Sequence, residues 1–278
     1  MGLLGGGLLA SITPTLKLND TSHNSVELEV SVFFDSTFTE IRDVGNYTTP
    51  IETALEKSVE SIPDENESIN LKVRFPDYTP EPDIDTTGFG TRKYDSIDGR
   101  TKSVDTVDSE ELMEWWGKQI NDEGEASKYA SYDSNILITG NNISTYDGFG
   151  RRPTSCGNVG DSNIGIVNLF DEEFSEEIVN GKRDLSGDGR LLNTIIHEFG
   201  HNIGLTHEMG GLADDGVVTP MIGSYVKYGN REYTDRENHF GEYIPPESDF
   251  PNDVYISPTF NSDIGIDDLF TGCTCENH

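Results

Sequence analysis

Alternating apolar and polar positions predict four β-strands in the first two thirds of the chain. The alternation, or a short continuous apolar run, covers residues 26–34, 69–75, 134–139 and 164–169. Apolar positions three and four residues apart predict one helix over residues 50–61 and another that opens at Asp108. Because strands and helices interleave along the chain, we expect an α/β fold with helices packed against a sheet.

Two stretches of the chain lack this periodicity. Residues 76–105 are rich in Pro, Asp, Gly and Ser, which predicts a long surface loop. Residues 208–278 are rich in Gly, Pro, Asp and Tyr, which predicts a smaller and irregular C-terminal part.

The helix predicted over residues 50–61 also has a start signal. Thr49, Pro50 and Glu52 have the spacing of a helix start, with Pro50 at the first helical position.

The clearest helical pattern contains two histidines. One face, at helical spacing, carries Leu192, Ile195, Ile196, Phe199 and Ile203. Residues 197–207 read His-Glu-Phe-Gly-His-Asn-Ile-Gly-Leu-Thr-His. His197 and His201 are four positions apart, so their imidazoles lie one helical turn apart on the same face. This arrangement suits a zinc ion, which takes imidazole nitrogens at about 2.0–2.1 Å.

Gly204 and His207 complete the predicted metal site. A third ligand from the next turn of the same straight helix would not close a tetrahedron around the ion. Gly204 permits a sharp turn, because glycine reaches positive φ without a clash of Cβ. The turn brings His207 back to the metal as the third ligand. Three protein ligands leave the fourth position to water, as in catalytic zinc sites.

Glu198 is the predicted catalytic residue. It adjoins a ligand, and it is placed to take a proton from the zinc-bound water instead of binding the metal. Zinc lowers the pKa of that water toward about 7 and polarises the scissile carbonyl. Glu198 then carries the proton to the leaving amine. The pattern predicts one catalytic Zn²⁺ ion and hydrolysis of a peptide bond, whereas Ca²⁺ is not indicated.

The spacing His-Glu-x-x-His-x-x-Gly-x-x-His resembles the signature of the metzincin clan of zinc metallopeptidases. The resemblance covers about residues 130–230. It implies that Met221, within Thr-Pro-Met-Ile-Gly, lies in a tight turn and forms an apolar base beneath the zinc. The short interval from His207 to Met221 is similar to that of the reprolysin (adamalysin-like) branch. The branch stays open, since Glu208 follows the third histidine where reprolysins usually have Asp.

The metzincin resemblance also implies an architecture. It implies a twisted, mainly parallel sheet with long helices, among them the zinc helix, and a small irregular C-terminal subdomain. We expect a single catalytic domain over residues 21–278. Its upper part spans 21–204, and its lower part spans 205–278 and contains the methionine turn. Residues 1–20 precede this domain.

By the same resemblance, the substrate is a polypeptide bound as an extended strand. Residues 158–169 are implied to supply the edge strand above the cleft, to which a peptide adds through main-chain hydrogen bonds. A side-chain pocket is implied beside Met221, walled by residues 222–228. Some metzincins have a tyrosine two residues after the methionine, where this chain has Gly223. Tyr225 and Tyr228 are the nearby candidates for a contact with the transition state.

The charge of the chain narrows its set of partners. There are 51 acidic and 19 basic residues, for a net charge of −32 at pH 7. Nucleic acid is excluded as a partner, because its phosphates would be repelled. The acids are dispersed and only nine lysines occur, a pattern that resembles proteins of extreme halophiles. We expect a halophilic, archaeal source, against the alternative of an ordinary acidic secreted protein.

The N-terminus predicts secretion. Residues 1–12 resemble the apolar core and small-residue end of a signal peptide, although no basic region precedes them. The alternative is a disordered or buried N-terminus. This segment is too short to span a membrane, and no other stretch is a candidate.

The cysteines are Cys156, Cys273 and Cys275. We expect one disulfide between the C-terminal tail and Cys156, with one thiol left over. A small metal site that also includes His278 is the alternative.

Together these features predict a secreted zinc endopeptidase. Two other functions stay open. The first is a catalytically silent, metal-containing binding protein, against which Glu198 argues, because a binding module does not need that base. The second is another zinc hydrolase, such as an amidase or a deacetylase, with the same metal helix.

Overall fold

The computed structural model describes residues 24–62, 67–121, 124–144, 154–159, 162–169, 174–184, 189–205, 209–214, 217–221 and 255–269. In these ranges the α-helices are α1 (Ser36–Ile41), α2 (Gly45–Ser58), α3 (Ser109–Asn121), α4 (Glu176–Asn180) and α5 (Arg190–Asn202). The first strands are β1 (Asn24–Phe34), β2 (Glu67–Arg74), β3 (Thr86–Asp95), β4 (Thr101–Asp108), β5 (Ser134–Thr139) and β6 (Asn142–Ser144). The others are β7 (Thr154–Val159), β8 (Ser162–Asn168), β9 (Arg183–Asp184), β10 (Leu212–Asp214), β11 (Val217–Val218) and β12 (Tyr255–Ile256). The predicted signal-like segment, residues 1–20, lies outside the described ranges.

A five-stranded sheet forms the centre of the fold. Its strands lie in the order β2, β1, β5, β8 and β7. The first four strands run parallel, and β7 is antiparallel to β8. Helices pack against the sheet, so the prediction of an α/β fold with a mainly parallel sheet is confirmed. The four strands predicted from the apolar pattern correspond to β1, β2, β5 and β8.

The edge strand differs from the prediction. Residues 158–169 were expected to supply it, but β8 lies inside the sheet and pairs with β5 on one side and β7 on the other. In β8, Ile164, Ile166 and Val167 are fully buried, as in a strand covered on both faces. Among the strands that the structure describes, the outermost at this end of the sheet is β7, which pairs with β8 from Thr154 to Val159.

Residues 76–105 contain β-strands, so the prediction of a long surface loop over this stretch was wrong. β3 and β4 form an antiparallel hairpin, and β6 adds to β4 in parallel. Gly99, with φ of 76°, lies in the hairpin turn. The described inward side chains of this hairpin are few, chiefly Tyr94, Val104 and Val107. The remaining positions are mostly polar, so the composition resembled that of a loop.

The sequence predicted the start of α3 correctly but placed the start of α2 too late. Asp108 caps α3, since its Oδ1 accepts hydrogen bonds from the backbone N–H of Glu110 at 2.8 Å and Glu111 at 3.1 Å. The helix α2 begins at Gly45, so Pro50 lies inside it and not at its first position. The extra turn buries Tyr47, whose ring packs edge-on against Phe38 at 5.0 Å between centroids. This tertiary packing favours the earlier start.

The two faces of the central sheet carry separate cores. Along β5, Ile136 and Ile138 point to one face and Leu137 to the other, as strand alternation requires. The helices α2 and α5 cover the first face, and α3 covers the second. On the second face, Trp116 packs edge-on against Phe33 at 4.9 Å and donates from Nε1 to the carbonyl of Asn135.

The C-terminal segment 255–269 returns to the face covered by α2 and α5. There β12 joins β11 and β9 in a small second sheet. The backbone N–H of Phe260 donates to the carbonyl of Ser58, and the Ser61 hydroxyl donates to the carbonyl of Phe260. Four buried side chains of the segment belong to the same core as α2 and α5: Phe260, Ile264, Ile266 and Leu269. The segment therefore completes this core.

Candidate metal centre

The helix α5 positions the first part of the predicted site. Its apolar face packs on the central sheet and buries Leu192, Ile195, Ile196 and Phe199. Gly189 occupies the N-cap position with φ of 90°, so the chain enters the helix from a left-handed turn. The helix ends at Asn202, within the sequence that predicted it. His197, Glu198 and His201 therefore lie in its last two turns.

His197 and His201 bring their Nε2 atoms together. The two rings are nearly perpendicular, and their Nε2 atoms are 3.1 Å apart. The Nδ1 of His197 lies 2.8 Å from the carbonyl oxygen of Pro220, and the Nδ1 of His201 lies 2.9 Å from that of Leu205. A carbonyl oxygen only accepts, so each Nδ1 carries the hydrogen. In each ring, Nε2 is then the nitrogen that faces the other histidine.

This geometry fits a tetrahedral zinc ion. Two nitrogens bound at about 2.0–2.1 Å and at the tetrahedral angle lie about 3.3–3.4 Å apart, close to the observed 3.1 Å. In metal sites the second ring nitrogen of a histidine usually donates to a carbonyl or carboxylate, which fixes the ring. Both histidines have such a carbonyl partner. Main-chain carbonyls therefore hold both rings, unlike histidines on a solvated helix face.

Partial burial favours the neutral form of His201. Loss of solvation lowers the pKa of His201 below its usual value, and the hydrogen bond with the Leu205 carbonyl opposes part of this effect. The neutral imidazole is therefore favoured at neutral pH. His197 is also buried, at 3% exposure.

Gly204 turns the chain immediately after the helix. Its φ is 98°, in the left-handed region that favours glycine. The backbone N–H of Leu205 donates to the carbonyl of Gly200, which closes the turn. The same turn presents the Leu205 carbonyl to His201. His207, the predicted third ligand, lies outside the described residues.

Met221 lies against the helix beside the two histidines. It is fully buried, and the preceding residue, Pro220, supplies the carbonyl that holds His197. A Cβ at Gly200 would lie 2.5 Å from the Met221 Sδ and 3.0 Å from the Phe260 Cε1. Glycine at position 200 therefore lets both side chains pack closely against the backbone of α5. The resemblance implied Met221 but not Gly200 or Phe260, although a glycine inside a strong helical pattern is a recognisable signal.

Glu198 lies on the side of α5 that contacts β8. It is 3% exposed, and a Cβ built at Gly165 would lie 3.3 Å from its Cβ. Gly165 thus lets the helix approach the sheet closely at the predicted catalytic residue. Sequence reasoning did not single out Gly165, since its partner in the fold depends on the register of β8.

The structure places His197, Glu198, His201, Gly204 and Met221 of the predicted site. Tyr225, Tyr228, Cys273 and Cys275 lie outside the described residues, as does the side chain of Cys156, so the disulfide stays a prediction. Among the residues that the structure describes, no three His, Cys, Asp or Glu side chains converge as a metal site. The site as described is thus a pair of candidate ligands, His197 and His201, and His207 lies outside the described residues.

Comparison with known proteins supplies no family for this chain. No protein-family model matches it, and no curated protein matches its sequence. Over the described ranges, no helix is long and apolar enough to cross a membrane.

Proposed function

We propose that this protein is a zinc-dependent endopeptidase of the metzincin type. The observation that carries the proposal is the pair of Nε2 atoms of His197 and His201, 3.1 Å apart, with each Nδ1 held by a backbone carbonyl. A cation between the two Nε2 atoms would account for two imidazoles placed this close together. The sequence adds His207 as the third ligand, after the turn at Gly204.

Each residue of the proposed site has its own role in catalysis. His197, His201 and His207 would hold the zinc ion, and Met221 with Phe260 would support the helix that carries two of them. When bound, zinc lowers the pKa of a coordinated water and polarises the scissile carbonyl. Glu198 accepts a proton from the attacking water while the water oxygen forms a bond to the carbonyl carbon. The C–N bond then breaks, and Glu198 delivers the proton to the nitrogen of the leaving amine.

The sheet supports a polypeptide as the substrate. Among the described strands, β7 pairs only with β8, and we propose that an extended peptide adds to its other side. Strand addition uses main-chain hydrogen bonds and needs little sequence information. The helix α5 packs beside β8 at Gly165, which places Glu198 close to this end of the sheet. We therefore assign the peptide-binding edge to β7.

The layout of the fold is compatible with a metzincin catalytic domain. Four parallel strands with an antiparallel edge strand precede a helix that carries the first two histidines. A buried methionine and a C-terminal segment then pack against that helix. The signal-like residues 1–12 agree with secretion, and the net charge of −32 argues against nucleic acid as the substrate.

Casein cleavage in concentrated salt, with and without a chelator, tests the proposal. We expect wild-type protein to contain one zinc ion per chain and to cut casein, and the chelator to abolish cleavage until zinc is restored. His201→Ala should lose most of its zinc and all cleavage. Zinc bound without cleavage would indicate a silent binding protein. Cleavage of small amides or acetylated lysine but not casein would indicate another hydrolase, and full zinc retention in His201→Ala would refute the metal site.

A further inference from the structure

A buried hydrogen bond joins the end of α5 to the central sheet. The Nδ2 of Asn202 donates to the Oγ of Ser134, the first residue of β5, at 2.8 Å. Asn202 is 1% exposed and Ser134 is 0% exposed, so water does not replace either partner. Gly165 lies beside the contact, because a Cβ there would be 3.7 Å from the Asn202 Nδ2. The helix is therefore tied to the sheet beside the close approach at Gly165.

The sheet end of this contact is firmly held. Ser134 pairs with Val30 in the parallel ladder between β1 and β5. The next residue, Asn135, bonds through its side chain to both the N–H and the carbonyl of Ser131. Ser134 thus belongs to the rigid start of β5 and serves as a fixed point for the helix.

The helix end of the contact adjoins the metal ligands. Asn202 follows His201 directly and is the last residue of α5. Successive residues of a helix are rotated by about 100° around its axis, so a tie at Asn202 fixes the direction in which His201 points. Helix ends otherwise fray, and a small rotation here would separate the two Nε2 atoms. The same tie fixes the start of the turn at Gly204.

We infer that Asn202 is a positioning residue for the metal centre and that it acts through Ser134. This inference rests on the proposed function, since it assumes that His197 and His201 bind zinc. Asn202 itself does not touch the ion. Its hydrogen bond holds the last turn of α5 in the rotation at which both imidazoles converge, and thereby raises the metal affinity of the folded protein.

Metal affinity in four variants of the full chain tests this role. The variants are Asn202→Ala, Ser134→Ala, the double variant and Asn193→Ala. Asn193 is a matched control: it is also a buried asparagine on α5, but it lies at the other end and contacts Arg183. The Kd for Zn²⁺ is measured by competition with a chromophoric chelator in concentrated salt, and Co²⁺ absorption reports the ligand geometry. Circular dichroism gives the folded fraction, so each Kd refers to folded protein.

We expect Asn202→Ala to weaken zinc binding by about 10–100-fold and to alter the Co²⁺ spectrum. Ser134→Ala should weaken binding in the same direction, and the double variant should lose no more than the larger single loss, because the two residues act as one pair. Asn193→Ala should lower the melting temperature but leave Kd within about twofold of wild type.

Two results would overturn the inference. The first is a wild-type Kd and Co²⁺ spectrum in folded Asn202→Ala. The second is an equal loss of affinity in Asn193→Ala, which would indicate a general effect of stability. Should Asn202→Ala fail to fold, an unchanged Kd in Ser134→Ala overturns it as well. Failure of the wild-type protein to bind zinc would instead refute the proposed function, so the two failures are distinct.

Discussion

At the scale of residues, the two histidines are oriented by the main chain. Their Nδ1 partners are the carbonyl oxygens of Pro220 and Leu205, not side chains. One carbonyl comes from the segment that carries Met221 and the other from the turn at Gly204. The tautomers therefore depend on the conformation of two backbone segments, and side-chain substitutions that keep those conformations should leave both rings in place.

The Glu198→Gln variant tests the proton-transfer role of Glu198 independently of zinc binding. Glutamine has almost the same shape as glutamate but does not accept a proton at neutral pH, so we expect zinc content and melting temperature to stay near wild type. Casein cleavage should fall by roughly 10²–10⁴-fold, the usual contribution of a general base. Metal analysis and cleavage rates on the same sample check this. Near-normal turnover in a zinc-loaded variant would contradict the assigned role.

The sequence predicted the local part of the site and, through the metzincin resemblance, Met221, but it missed three other non-local residues. His197, Glu198, His201 and Gly204 lie within eight positions, so helical geometry alone relates them. Gly165, Ser134 and Phe260 were missed, because each reaches α5 only through the register of a strand or the return of a distant segment. Residue spacing contains no information about those pairings.

At the scale of elements, α5 depends on a close contact with two segments. Gly200→Ala places a methyl group 2.5 Å from the Met221 Sδ and 3.0 Å from the Phe260 ring. We expect a loss of about 1–3 kcal/mol in the free energy of unfolding from overpacking, although alanine is the better helix former. Zinc affinity should fall too, since the Pro220 carbonyl moves with Met221. Denaturant unfolding and chelator competition measure the two effects.

Gly45→Ala is the matched control for this substitution. Gly45 also lies in a helix, and a Cβ there would meet only the Asp43 Oδ1 at 3.4 Å. The free energy of unfolding should therefore change by less than about 1 kcal/mol, in either direction. Equal losses in the two variants would show that contact with Met221 and Phe260 is not the cause.

The sequence predicted some of the strands and missed others. The apolar strands β1, β2, β5 and β8 were predicted because their burial on the central sheet requires apolar side chains. The hairpin of β3 and β4 was missed because few of its positions are buried, and β7 because Thr-Ser-Cys-Gly-Asn-Val has almost no apolar pattern. Such strands are held by the backbone pairing of their neighbours, which composition does not report.

At the scale of the whole molecule, acidic charge exceeds what ion pairs neutralise. Even if each of the 19 basic residues paired with its own carboxylate, 32 of the 51 acidic residues would remain. Pairs such as Arg74 with Glu29, at 2.6 Å, involve partly exposed side chains. Exposed pairs contribute little to stability. The remaining carboxylates repel one another in dilute buffer.

We therefore expect the melting temperature to rise with salt. The Debye length falls from about 30 Å at 0.01 M to about 3 Å at 1 M, so salt screens most of the repulsion and favours the compact state. Salt also strengthens apolar burial. Thermal unfolding and casein cleavage from about 0.05 M to about 4 M NaCl, at constant zinc, measure the effect. A melting temperature that is flat or falls would defeat the halophile interpretation and leave the zinc-peptidase proposal intact.

The return of residues 255–269 to α2 has a consequence for protein synthesis. The hydrogen bond between Ser61 and Phe260 joins positions 199 residues apart. Contacts of such long range form late, and this one cannot form until Phe260 has left the ribosome. Since Phe260 also packs against α5 at Gly200, the support of the two histidines is completed only after synthesis has passed residue 260. Under the proposed function, a growing chain shorter than this lacks the finished centre that would cut it.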